Sequence, residues 1–110
     1  MRDPDRFERA TAREAELIEL AAAAEPGDTA LEDAVARGLA DLARDLLERG
    51  ARPKDLIEMH GRAARLAARD KAPALVQAHL QSSRTVLVAL MAELAAQCRA
   101  RTRAAIGASE

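Results

Sequence analysis

Residues 43–60 read ARDLLERGARPKDLIEMH, and this stretch decides how the chain folds. It predicts the end of one helix, a corner at residues 50–52 and a second helix that begins at Pro53. Gly50 suits a helix end because glycine adopts the left-handed backbone conformation without Cβ strain. Proline is favoured in the first turn of a helix. Because the corner is short, we expect the two flanking helices to be antiparallel neighbours.

The composition outside this stretch favours helices throughout. Helix formers such as alanine, leucine, arginine and glutamate dominate, β-branched residues are few, and no segment alternates between apolar and polar residues. The fold class predicted is therefore all-α: a four-helix bundle in one domain, residues 1–110. Proline and glycine positions place the four helices at about 4–24, 29–49, 53–69 and 73–103.

Large apolar side chains are scarce. The 110 residues include 28 alanines and 14 leucines but one phenylalanine and no tryptophan or tyrosine. The core of a single copy would be thin, which favours a bundle that dimerises. The first helix has a narrow apolar stripe that Glu14 interrupts, so we expect it to pack on the outside of the bundle or to exchange with a partner.

The last helix is the candidate dimer contact. From Thr85 to Cys98 only Glu93 is charged, and apolar side chains point to all sides of the helix. A helix that is apolar all round is covered all round. We therefore predict a homodimer through this helix, with the following interface residues: Val86, Leu87, Val88, Leu90, Met91 and Leu94.

Charge and cysteine content exclude several classes. Seventeen basic residues nearly balance eighteen acidic ones, which argues against a protein that coats nucleic acid or an anionic membrane. No segment approaches the roughly 20 apolar residues of a membrane span, and the amino terminus lacks the apolar run of a signal peptide. A single cysteine, Cys98, cannot form an internal disulfide, so we expect a cytoplasmic protein.

No pattern of catalytic residues supports an enzyme. The sequence contains no Gly-rich phosphate loop, no Gly-x-Ser-x-Gly motif and no clustered metal ligands, so we expect no metal, cofactor or small-molecule substrate. His60 is the one candidate for chemistry. Phosphotransfer through its imidazole is one interpretation, although the pattern His-x-x-Lys-Gly is absent. The other is a structural histidine whose ring nitrogens bond a neighbouring backbone group or carboxylate.

The stretch 42–60 resembles the amino-terminal domain of RsbU-type phosphatases, which regulate bacterial stress sigma factors. That domain is similar in fold to the carboxyl-terminal, KaiC-binding domain of the clock protein KaiA. The family pattern is a small residue and an arginine late in helix two, a Gly-x-x-Pro corner, and then acidic residues, two aliphatics and a histidine. The matching positions here are Ala43, Arg44, Gly50, Pro53, Asp55, Leu56, Ile57 and His60.

The resemblance implies a dimeric four-helix module, without catalysis of its own, that binds a regulatory protein such as a switch kinase or anti-sigma factor. The pathway implied is bacterial partner switching in a stress response. Arg44, Arg52 and His60 are the candidate protein-binding residues. The resemblance also suggests that His60 reaches back towards helix two. Two alternatives remain: phosphotransfer through His60, and a dimerisation domain of a larger phosphatase or kinase.

Overall fold

The computed structural model describes residues 4–25, 27–69 and 71–109, with side chains described as far as residue 107. These residues form four helices and no strand: α1 (Pro4–Ala23), α2 (Thr29–Glu48), α3 (Pro53–Ala68) and α4 (Pro73–Ser109). The all-α class and the bundle of four helices are confirmed. The bounds lie within a residue of those predicted, except that α4 continues six residues beyond residue 103.

The corner between α2 and α3 forms as its sequence predicts. Gly50 adopts a positive φ of 68°. Its N–H donates to the carbonyl of Leu47, and the N–H of Ala51 donates to the carbonyl of Leu46, which satisfies two carbonyls at the end of α2. At the start of α3 the carboxylate of Asp55 accepts the N–H of Arg52 at 2.9 Å. The corner thus fixes both helix ends through local hydrogen bonds.

The helices are not arranged as the short corner suggested. α1 and α4 each pack against the three other helices, whereas α2 and α3 make no helix–helix contact with each other. The prediction that α2 and α3 are neighbours is therefore wrong, because the corner directs α3 to the far side of the α1–α4 pair. The prediction that α1 packs on the outside is also wrong.

The buried stripe of α1 is wider than its apolar residues alone define, because Thr11 and Glu14 are also buried. Its buried residues are Ala10, Thr11, Glu14, Ala15, Leu17 and Ile18. The core as a whole is built around leucine and alanine side chains, with Met59 of α3 and Val86 and Leu90 of α4 among its fully buried members. Ile57 of α3, by contrast, is 74 % exposed.

Gly38 allows α1 and α2 to approach closely. A Cβ atom at this position would lie 2.4 Å from Cδ2 of Leu17, whose side chain is fully buried. Any larger residue at position 38 therefore requires Leu17 to move within a packed interior.

α4 is the longest element by far. Its 37 residues give a rod of about 55 Å at 1.5 Å per residue, which matches the 56 Å long dimension of the whole chain. Towards its carboxyl end, Nε2 of Gln97 donates a hydrogen bond to the carbonyl of Ala40 in α2, at 3.0 Å. Side chains from residue 98 to residue 107 are all exposed. None of the described helices combines the length and apolar character that a bilayer crossing requires.

Candidate functional site

The α1–α3 seam is formed by Glu14 and His60, and among the described residues it is the one place where titratable side chains meet in the interior. Nδ1 of His60 lies 3.1 Å from Oε2 of Glu14. The Glu14 side chain is completely buried, while the His60 side chain is 17 % exposed. His60 therefore bonds a carboxylate, as the structural interpretation predicted, but the partner lies on α1 and not on α2 as the resemblance suggested.

Burial also changes the pKa of Glu14. Removal from water raises the pKa of Glu14 above its ordinary value of 4.5, and the opposing attraction of His60 only partly offsets that rise. The second carboxyl oxygen, Oε1, is buried and has no hydrogen-bond partner in the described part of the chain. An unpaired buried oxygen costs free energy, so we expect the pair to contribute more to the specificity of the fold than to its stability.

This geometry gives little support to phosphotransfer through His60. A phosphoryl-accepting imidazole must be reachable by a second protein, yet the ring is mostly covered and one of its nitrogens is held by Glu14. Gly61 and Arg62 follow His60, but the guanidinium of Arg62 is already engaged. It lies within 3.3 Å of Glu8 and 3.2 Å of Glu58.

Arg62 also stacks on α1. Its guanidinium carbon lies 5.2 Å from the centre of the Phe7 ring, within the range of a cation–π contact. Beside it, a groove of about 430 Å³ between α1 and α3 is lined by Glu8, Arg65 and Arg69 among others. The groove is open and shallow, and it holds no arrangement of nucleophile and base.

The outer face of α4 is the second unusual surface. Its exposed side chains follow one another at helical spacing: Gln81, Arg84, Thr85, Val88, Met91, Ala92, Ala95 and Arg99. Val88 is 67 % exposed and Met91 is 56 % exposed. Glu93 is half-buried on the opposite side of the helix, so the centre of the outer face carries no charge.

The six residues predicted for a dimer contact divide into two groups. Val88 and Met91 lie on the outer face, and Leu87 and Leu94 are half-buried at its margin. Val86 and Leu90 are only 1 % exposed and belong to the core of the single chain. They cannot contribute surface to a contact between folded copies, because α1, α2 and α3 together cover more of α4 than its sequence suggested.

The candidate protein-binding arginines stand apart from the seam. Arg44 is exposed on α2 and pairs with Asp41 at 3.3 Å. Arg52 is exposed at the corner, where its guanidinium lies 3.7 Å from Asp55. No hydrogen bond or ion pair among the described residues links Arg44, Arg52 and His60 to one another. Sequence reasoning missed Glu14 as the partner of His60, although its interruption of an apolar stripe was the available signal.

Comparison with protein-family models, with curated proteins and with solved structures gave no match. Over the part of the chain that the structure describes, no group of three or more histidine, cysteine, aspartate or glutamate side chains could hold a metal ion. The functional interpretation therefore depends on the α1–α3 seam, the outer face of α4 and the motif at residues 42–60.

Proposed function

We propose that this chain is a homodimeric signalling module without catalytic activity, which recruits a regulatory protein in a bacterial partner-switching pathway. The dimer is supported by the uncharged centre of the outer face of α4, where Val88 and Met91 are exposed to water. Exposed apolar patches of this kind mark interaction sites. The motif at residues 42–60 supports a regulatory partner such as a switch kinase or an anti-sigma factor.

A second copy is the occupant that best fits the outer face. The centre of the face is apolar and small, with Ala92 and Ala95 beside Val88. Small residues let two helix backbones approach closely, and a patch without charge is complementary to itself, as a twofold interface requires. An alanine-rich chain with few bulky side chains gains additional apolar burial from such a contact.

Light scattering on size-exclusion chromatography tests the dimer. The wild-type chain is expected to run as a dimer at micromolar concentration, and Val88→Glu as a monomer with the same helical circular dichroism. A charge at the centre of the interface cannot be paired or hydrated there.

Ile57→Glu is the matched control, because Ile57 is also a β-branched aliphatic residue and is even more exposed than Val88, but it lies on α3. This variant should remain dimeric. A wild-type monomer, or a dimer that Ile57→Glu disrupts and Val88→Glu does not, would remove the α4 interface.

Recruitment of a regulator is tested with the dimer as bait. The immobilised chain should retain a switch kinase or anti-sigma factor from bacterial extract, identified by mass spectrometry. Retention should fall with Arg44→Ala and Arg52→Ala but not with Arg101→Ala, which removes the same charge from the end of α4. If both corner variants retain the regulator undiminished, the arginines are not its binding residues.

A further inference from the structure

An acidic cleft lies beside α4. It has a volume of about 390 Å³ and lies between α1, α2 and α4. Its lining combines apolar side chains such as Val35 with the carboxylates of Glu25 and Glu32, and Thr85 of α4 forms its edge. Both carboxylates belong to exposed residues, and neither is paired with a cation among the described residues.

The opposite charge is found at the other end of the outer face. Arg99 and Arg103 are exposed and lie on the same side of α4 as Thr85, since spacings of 14 and 18 residues are close to four and five whole helical turns. Neither arginine pairs with an acidic side chain in the described part of the chain. Each chain thus carries an unpaired acidic site and an unpaired basic site, about 21 Å apart along α4 from Thr85 to Arg99.

We infer that two copies pack antiparallel through their α4 helices about Ala92, so that Arg99 of each copy docks at the Glu25–Glu32 cleft of the other. This inference rests on the proposed homodimer. Ala92 lies midway between Thr85 and Arg99, and also midway between Gln81 and Arg103. A twofold axis through Ala92 therefore places Arg99 of one copy beside Thr85 of the second copy, at the edge of the acidic cleft.

The parallel arrangement is disfavoured by charge. It would place Arg99 opposite Arg99 and Arg103 opposite Arg103, with no carboxylate nearby on the outer face. Like charges placed opposite each other weaken association, whereas complementary charges fix the orientation of partners. The antiparallel arrangement instead brings Arg99 to the two carboxylates of the cleft, which outnumber the single exposed Arg84 beside Thr85, and it forms this contact twice. The alanines at the centre let the two α4 helices approach closely, which brings Arg99 of each copy to the acidic cleft of the other.

Charge reversal tests this arrangement through the dimer dissociation constant, measured by sedimentation equilibrium. Arg99→Glu and Glu32→Arg should each weaken the dimer by about tenfold, since each contact occurs twice and becomes repulsive. The double variant Glu32→Arg/Arg99→Glu should recover to within about threefold of the wild type. Arg101→Glu is the matched control, because Arg101 carries the same charge on the same exposed helix end but points away from the outer face.

A distance measurement gives an independent readout. Cys98 is the single cysteine of the chain and is exposed, so it accepts a spin label without further mutation. In the antiparallel arrangement the two Cys98 positions are offset by about 18 Å along the helices, whereas in the parallel arrangement that offset is about zero.

The outcomes separate the two proposals. A dimer that is insensitive to reversal at Arg99, or that shows a short distance between labels, overturns the antiparallel arrangement and leaves the homodimer standing. Recovery in the double variant together with a long distance supports the arrangement. A wild-type chain that is monomeric at every concentration overturns both.

Discussion

The α1–α3 seam and the outer face of α4 depart in opposite directions from the rule that apolar side chains lie inside and charged ones outside. The seam buries a carboxyl group completely, whereas the outer face leaves a valine and a methionine in water. The first departure is compensated within one chain, because His60 approaches Glu14 from another helix. The second has no compensation in the described residues. The first region joins α1 to α3 within one chain, whereas the second is the surface that we propose as the contact with a second copy.

The largest effect is expected from removal of His60. His60→Ala removes the one side-chain partner that the buried Glu14 carboxyl has among the described residues, and we expect a loss of about 3 kcal/mol in the free energy of unfolding. Urea denaturation followed by circular dichroism measures it. His79→Ala is the control, since that imidazole bonds only the carbonyl of Leu75 in its own helix and should change stability by less than about 0.5 kcal/mol. Equal effects at the two histidines would contradict a special role for the seam.

Replacement of both seam residues should act in the other direction. The double variant Glu14→Leu/His60→Leu removes the buried charge together with its partner, and we expect a gain of about 1–2 kcal/mol in the free energy of unfolding. The same urea titration detects it. If the double variant is instead as unstable as His60→Ala, then the pair stabilises the fold outright and the seam is more than a determinant of specificity.

If the outer face forms a dimer contact, the apparent stability of the chain should depend on protein concentration. Unfolding of a dimer depends on protein concentration, and a tenfold dilution lowers the apparent free energy by about 1.4 kcal/mol. Val88→Gln should abolish that dependence while leaving the stability of the isolated chain unchanged within about 0.5 kcal/mol. Ile57→Gln should preserve it. A wild-type unfolding curve that does not move between dilute and concentrated samples would remove the contrast between the two regions.

The smallest effect concerns pH at the seam. Because burial raises the pKa of Glu14 in the folded chain, this residue's contribution to stability is fully present below its unfolded value of 4.5 and is lost as pH rises through the raised folded pKa. Glutamine does not titrate. The stability difference between Glu14→Gln and the wild type should therefore shift in favour of glutamine from about pH 4 to about pH 8. A constant difference would show that Glu14 titrates as an ordinary carboxyl group.

Helix bounds were predictable because their signals are local. Gly50 and Pro53 end one helix and begin the next through the backbone properties of glycine and proline alone. The position of α1 was not predictable, since the width of an apolar stripe says nothing about a buried glutamate whose partner lies 46 residues away. The exposure of Ile57 and the burial of Val86 depend on which helices become neighbours. Which helices become neighbours is decided by tertiary packing, and it cannot be read from the periodicity of a single helix.

The close approach at Gly38 has a consequence for folding. An interface built largely from repeated leucine and alanine side chains contains few features that distinguish one sliding position of two helices from the next. Leu17 fits against the one position on α2 that lacks a side chain, and displacement by a single turn would set it against Leu42 or Ala34 instead. This fit therefore selects the native alignment of α1 and α2 from several that bury similar apolar area.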